Sequence, residues 1–363
     1  MEQASSYRDV QTDRKWSTVR RMVLCALLTL ATVHCVESIF VDNLSFMNLT
    51  SYENGTEQMP FQGRVAMIPV GRWAEKSALM QRESAWIELR IFHGANRRLE
   101  PFSSSKVAYL TVGMMASLLA VGFGVFIGRR YLPRVWWLPS ALFIYMLYVT
   151  YAARADAHYW YPYDLPHFAL FGIAAICLLE GWWIAAFLLF LTDLPVRETS
   201  IYLVPVAIAM AYARRQWRAM GWAAAMVVLW VVARVLISRH FSGNASDSRI
   251  HWEFWAPALR NPYRWGQLAS AFGFLLIPFI WGWKYLNREE RFFVYGAIPG
   301  VLLTALYGVW YETRIWDEWL LPAALLMSFQ GVRAINRGHV SGQLIEERPS
   351  VDYRARAAQT VGS

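Results

Sequence analysis

Residues 161–200 read YPYDLPHFALFGIAAICLLEGWWIAAFLLFLTDLPVRETS, with two uncharged, proline-free runs, 169–179 and 182–191, between polar ends. Runs this apolar do not suit a soluble loop. If they cross a bilayer and return, both polar ends lie on one membrane face. Asp164 and His167 then share that face with Asp193, Arg197 and Glu198. A single tilted helix over 166–193 is the competing reading.

Composition decides for a membrane. The 363 residues are 56% hydrophobic and only 17% charged, whereas a soluble domain carries about 25% charge. The 19 tryptophans and 18 tyrosines suit interfacial belts, where an apolar ring with a polar edge sits at headgroup depth. The net charge of +9 comes as short basic clusters between apolar runs, which fits a positive-inside bias and not a nucleic-acid groove. The three cysteines lie in apolar segments without Cys/His ligand spacing, so they are expected to pack as small apolar groups.

The expected architecture is all-α, a polytopic integral membrane protein with about ten transmembrane helices. A cytoplasmic tail, 1–21, precedes a membrane domain over 22–336, and a polar cytoplasmic tail follows over 337–363. The leading tail is basic but long and contains acids, and no Ala-x-Ala follows the apolar core, so a retained first span is expected over a signal peptide. After a first span near 22–41, further spans are expected at about 107–127, 135–152, 166–179, 182–193, 200–213, 219–238, 266–285, 292–311 and 316–334. The short hairpin 166–193 keeps three basic clusters on the side of both termini: Arg129/Arg130/Arg134, Arg214/Arg215/Arg218 and Lys284/Arg288/Arg291. Fusing it into one helix would put Arg214, Arg215 and Arg218 outside, so the charge rule prefers ten spans.

Within the long extracytoplasmic loop 42–105, the stretch 71–92 has Trp73, Met80 and Ile87 seven residues apart and arginines on other faces. It is too polar to span. It predicts an amphipathic helix lying in the interface plane, with a small soluble cap as the alternative.

This topology gathers the polar segments 60–64, 154–167, 192–200, 249–255 and 311–319 on the outer side. Charges at membrane depth are costly unless paired or wetted, so the clusters suggest an aqueous outer cavity. Asp42, Asp164 and Glu198 are the candidate catalytic carboxylates, and Arg64, His167, Arg197 and Arg314 the candidate substrate-binding residues. Each has a plainer explanation. Asp164 and Glu198 stand where helix caps are expected, and Asp193 is placed to pair locally with Arg197. Arg314 is placed to pair with Glu312 or Asp317, His167 can be a hydrogen-bonded core residue, and Asp42 can be a solvated surface acid. Arginine suits phosphate because its planar fork offers two parallel donors. A divalent metal ion is compatible with the acids but not indicated.

Through PFQGRVAMIP, YDLPHFALF and VRETSIYL the chain resembles the polytopic C-type (GT-C) membrane glycosyltransferases and related bacterial membrane proteins. The resemblance covers roughly residues 20–335. It implies a bacterial inner (cytoplasmic) membrane, a cytoplasmic N-terminus and a sugar donor on a polyprenyl phosphate; the charge rule puts both termini in the cytoplasm. It also implies a carboxylate of the first outer loop as base, with Asp42 matching best and Glu37, Glu53 and Glu57 as rivals. Membrane lipids and the lipid-linked donor are the expected partners, without nucleic acid; the oligomeric state is open. A transporter or lipid flippase, and a non-catalytic assembly subunit, are the competing classes.

Overall fold

The computed structural model describes residues 2–90, 102–151, 159–246, 257, 259–307 and 313–338, with backbone only at 2–17, 90, 313–315 and 338. It is helical almost throughout, with one two-stranded sheet among the described residues. Three helical segments are long and apolar enough to cross a membrane: Thr18–Asp42, Ser104–Tyr131 and Trp217–His240.

The first of these is the apolar part of α1 (Glu2–Asp42). The loop after it folds into α2 (Leu49–Asn54), α3 (Ile68–Lys76) and α4 (Ala78–Arg90). The expected single helix over 71–92 is thus two helices. Ser77 takes an extended conformation (φ −86°, ψ 113°), and its hydroxyl accepts from the Met80 N–H, as an N-cap residue does. Met80 and Ile87 are half-buried, whereas Trp73 faces outward with Leu79, Trp86 and Leu89. Residues 91 and 92 fall outside the described residues.

The bundle continues with α5 (Ser104–Tyr131), α6 (Leu138–Tyr151), α7 (Asp164–Glu180), α8 (Trp183–Asp193), α9 (Leu203–Ala213) and α10 (Met220–His240). Helix α7 is the core: every residue except Leu170 is buried, and it packs against α5, α8, α9 and the last helix. The run 166–193 is a hairpin. Gly181 takes the left-handed conformation (φ 78°), and Trp182 donates to the Cys177 carbonyl at 2.8 Å, which ends α7 and reverses the chain.

The expected span 266–285 is not one helix. It consists of α11 (Pro262–Ala269), α12 (Leu276–Trp281) and two short 3-10 turns, with Phe272, Gly273 and Phe274 all at positive φ. The chain closes with α13 (Arg288–Tyr307), a 3-10 helix over Thr313–Trp319 and α14 (Leu320–Gly338).

Hydrogen bonds show which helix ends share a level. On the loop side, Asn43 beyond α1 donates to the Tyr151 carbonyl at the end of α6, and Ser105 at the start of α5 donates to Glu75. The strands β1 (Leu44–Ser45) and β2 (Tyr159–Trp160) pair there, and Asn244 beyond α10 holds the Gly55 and Glu57 carbonyls. At the opposite level Tyr131 donates to Glu180, Arg214 reaches Glu289, and Arg333 reaches Glu290. Consecutive long helices therefore alternate in direction.

Candidate functional site

The loop-side level carries a buried polar network built from helix ends. Arg64, in the turn between two 3-10 helices of the loop, forks onto Glu198. Its Nε donates to Oε2 at 2.9 Å and its Nη2 to Oε1 at 2.5 Å, while Nη1 donates to the Tyr163 hydroxyl at 2.7 Å. The backbone is held as firmly as the side chain: Tyr52 donates to the Arg64 carbonyl, and Trp230 donates to the Glu198 carbonyl at 2.8 Å. Arg234 donates to the carbonyls of Gly63 and Leu194. Arg234 lies nearly two turns before the end of α10, so the network is recessed by roughly 9 Å from that helix end.

Arg197 is the hub. Its Nη1 donates to Asp317 Oδ1 at 3.3 Å and stands 3.6 Å from Asp164 Oδ1 and 3.8 Å from Glu318 Oε1. The Tyr151 hydroxyl bridges Asp317 Oδ2 at 2.5 Å and Asp164 Oδ2 at 3.2 Å. Deeper in, His167 Nδ1 meets Asp193 Oδ1 at 2.8 Å, and Nε2 meets Thr199 Oγ1 at 2.9 Å and Glu318 Oε1 at 3.5 Å. The side chains of His167, Asp193 and Glu318 are wholly buried. The line hydroxyl–imidazole–carboxylate can pass a proton, because each member both faces and can exchange with the next.

Charge and burial compete at these groups. Burial pushes the Glu198 carboxyl up, but Arg64 beside it, by charge and hydrogen bonding, outweighs this and holds it below the usual carboxylate range; Arg234 and Arg197 add to the effect. Burial pulls Arg197 down, and the opposing pull of Asp317, Glu318, Asp164 and Glu198 wins, so it keeps its proton more firmly than a free guanidinium. Among the described residues the balance is nevertheless lopsided, with five acids against three arginines and one histidine. Among the described residues, Asp193 Oδ2, Arg197 Nε, Arg234 Nε and Ser200 Oγ are buried without a hydrogen-bond partner. Buried polar groups are rarely left so.

Four candidate residues of one network thus meet, Arg64, Arg197, Asp164 and Glu198, with His167 on the same network. Asp42 does not join them; it is exposed at the end of α1. Among its rivals, Glu53 is buried and accepts from Tyr109 at 2.8 Å, and Glu37 is exposed. The Arg314 side chain lies outside the described residues. The plainer explanations fail at three positions: Asp164 and Glu198 make no cap bond, and Asp193 turns to His167 instead of Arg197. Asp317, which was a possible partner of Arg314, belongs to Arg197 and Tyr151.

Asp317, Glu318, Tyr151, Tyr163 and Thr199 were missed as site residues. The first two carried a signal: adjacent acids between Trp316 and Trp319 open an apolar run, where solvation does not account for them. No group of three or more His, Cys, Asp or Glu suited to a metal ion occurs among the described residues. In comparisons with known proteins, no family model, no curated protein and no solved structure matches this chain.

Proposed function

We propose that this chain is a polytopic membrane transferase of the GT-C type, moving a sugar from a polyprenyl-phosphate donor to an acceptor on the extracytoplasmic face of a bacterial inner membrane. The observation that carries the reading is the meeting of Arg64 and Arg197 with Asp164 and Glu198 at the end of the bundle where the long loop folds. Fixed arginines in a poorly hydrated site stabilise charge developing on a departing phosphate strongly.

In this reading the membrane is crossed ten times, the alternating helices are the passes, and both termini are cytoplasmic. Helices α3 and α4 lie at the outer interface with Trp73, Leu79, Trp86 and Leu89 toward lipid headgroups. The roles of the three carboxylates separate. Both oxygens of Glu198 are taken by Arg64, so Glu198 orients that arginine. Asp42, open to solvent, and Asp164, against Arg197, remain as bases for the acceptor hydroxyl.

The test is sugar transfer from polyprenyl-phosphate-linked sugars by protein reconstituted in lipid vesicles. Replacing the base by its amide, Asp42→Asn or Asp164→Asn, lowers turnover by roughly 10²–10⁴-fold with the fold intact. Full activity in both variants removes both residues as base. Labelling of a single cysteine at position 215 from outside intact cells contradicts the ten-pass topology.

The excess of buried acids favours one second reading, a proton-coupled carrier. Ion-coupled carriers place ionisable groups inside the bundle at broken helices, and the 3-10 stretches at 198–202 and 313–319 break the helical runs at this site. Proton-driven uptake into vesicles, with no transfer from any lipid-linked sugar, decides for it.

A further inference from the structure

The network contains a contact that fully ionised acids do not satisfy. The Tyr151 hydroxyl has one proton, and it lies within hydrogen-bond distance of two carboxylate oxygens, Asp317 Oδ2 and Asp164 Oδ2. It can donate to only one of them. With both acids ionised, the second oxygen would face the phenol's lone pairs. A proton on one of the two acids completes the chain, because that acid donates to the phenol oxygen and the phenol donates to the other acid.

The surrounding charges require the same proton. From the α8–α9 connection, Arg197 Nη1 faces Asp164, Asp317 and Glu318 together. From α7, His167 faces Glu318 with one nitrogen and Asp193 with the other. Glu198 and Arg64 neutralise each other alongside. Even with His167 protonated, Arg197, His167 and, beyond Asp193, Arg234 supply three positive charges among the described residues against four carboxylates, all of them buried. Uncompensated charge in such a place is relieved by taking up protons.

We infer that Asp164 and Asp317 hold one exchangeable proton between them across the Tyr151 hydroxyl. The site is a proton store within hydrogen-bond reach of the hub arginine. The inference does not depend on sugar transfer: a transferase needs an acceptor for the hydroxyl proton, and a carrier needs a proton to couple.

Infrared spectroscopy of the full chain in lipid vesicles tests it. A carbonyl stretch of a protonated carboxylic acid is expected at neutral pH, shifted on transfer to D2O because the proton exchanges. Asp164→Asn and Asp317→Asn should each abolish the band, since either amide leaves a single ionised acid beside the Tyr151 hydroxyl. Both amides have nearly the shape of the protonated acid. Should one fail to fold, Tyr151→Phe serves instead, and the band should move to the frequency of a more weakly hydrogen-bonded acid. No band in the wild type overturns the inference. A band that survives both Asn variants and disappears in Glu318→Gln or Asp193→Asn also overturns it, because the proton then sits elsewhere. A band unmoved by Tyr151→Phe likewise contradicts it.

Discussion

The two ends of the bundle use the same residue types to opposite purposes. At the end away from the loop, Arg214 donates to Glu289 and to the Leu178 and Leu179 carbonyls, closing the C-terminus of α7. Arg333 forks onto Glu290, which also bonds the Asn287 N–H while Asn287 accepts from the Glu290 N–H. That reciprocal pair is a capping box. Here each arginine meets one acid, and every contact ties down a helix end. At the loop end a single guanidinium nitrogen faces three acids, and among the described residues the network's acids outnumber its cations and Asp193 Oδ2 lacks a hydrogen-bond partner. Balanced pairs fasten helices; an unbalanced buried cluster is where chemistry or transport is to be sought.

Arg197→Met tests this contrast most severely. It leaves Asp164, Asp317 and Glu318 without their shared cation, and removing one partner of a buried ion pair costs about 3–5 kcal/mol. Thermal unfolding in detergent should show it, with partial recovery in Arg197→Met/Asp317→Asn. Without that recovery the acids are not coupled through Arg197. At the other end, Glu290→Gln should cost about 1–3 kcal/mol through the lost charged bonds to Arg333, with no rescue from any loop-side change. Gly181→Ala should cost about 1–2 kcal/mol, because a Cβ is unfavourable in the left-handed conformation that turns α7 into α8. Asp42→Asn should leave stability within about 0.5 kcal/mol, as an exposed residue outside both networks.

Acid separates the ends in a graded way. The Glu198 carboxyl is held below its unfolded range, near 4.3 for glutamate. Its contribution is therefore complete above that range and is lost as pH falls through the lower folded value. Unfolding temperature measured against pH should fall less steeply in Glu198→Gln than in the wild type over that acidic window.

Much of this was legible in the sequence, for reasons that particular residues show. The hairpin at 166–193 followed from two apolar runs around Gly181. Arg64, Asp164, Arg197 and Glu198 stood out because charges entering apolar runs lack solvent. Their partners did not. The ion pair of Arg64 with Glu198 spans 134 residues and that of Arg197 with Asp317 spans 120, and nothing local encodes such pairs. Local reasoning therefore chose an acid four residues away, Asp193, for Arg197. The broken 266–285 segment was misread because hydropathy averages over the glycines and the positive-φ run at 272–274.

The central claim is that the loop-side network works and the opposite one fastens. A paired reconstitution of Arg197→Lys and Arg333→Lys tests it most directly, since each keeps the charge but loses the planar fork. Transfer from a polyprenyl-phosphate-linked sugar should drop at least about tenfold in Arg197→Lys, the loss of one charged hydrogen bond of about 1.5–3 kcal/mol. Arg333→Lys should transfer at the wild-type rate below its unfolding temperature. Equal rates in the two variants, or a loss confined to Arg333→Lys, would contradict the account.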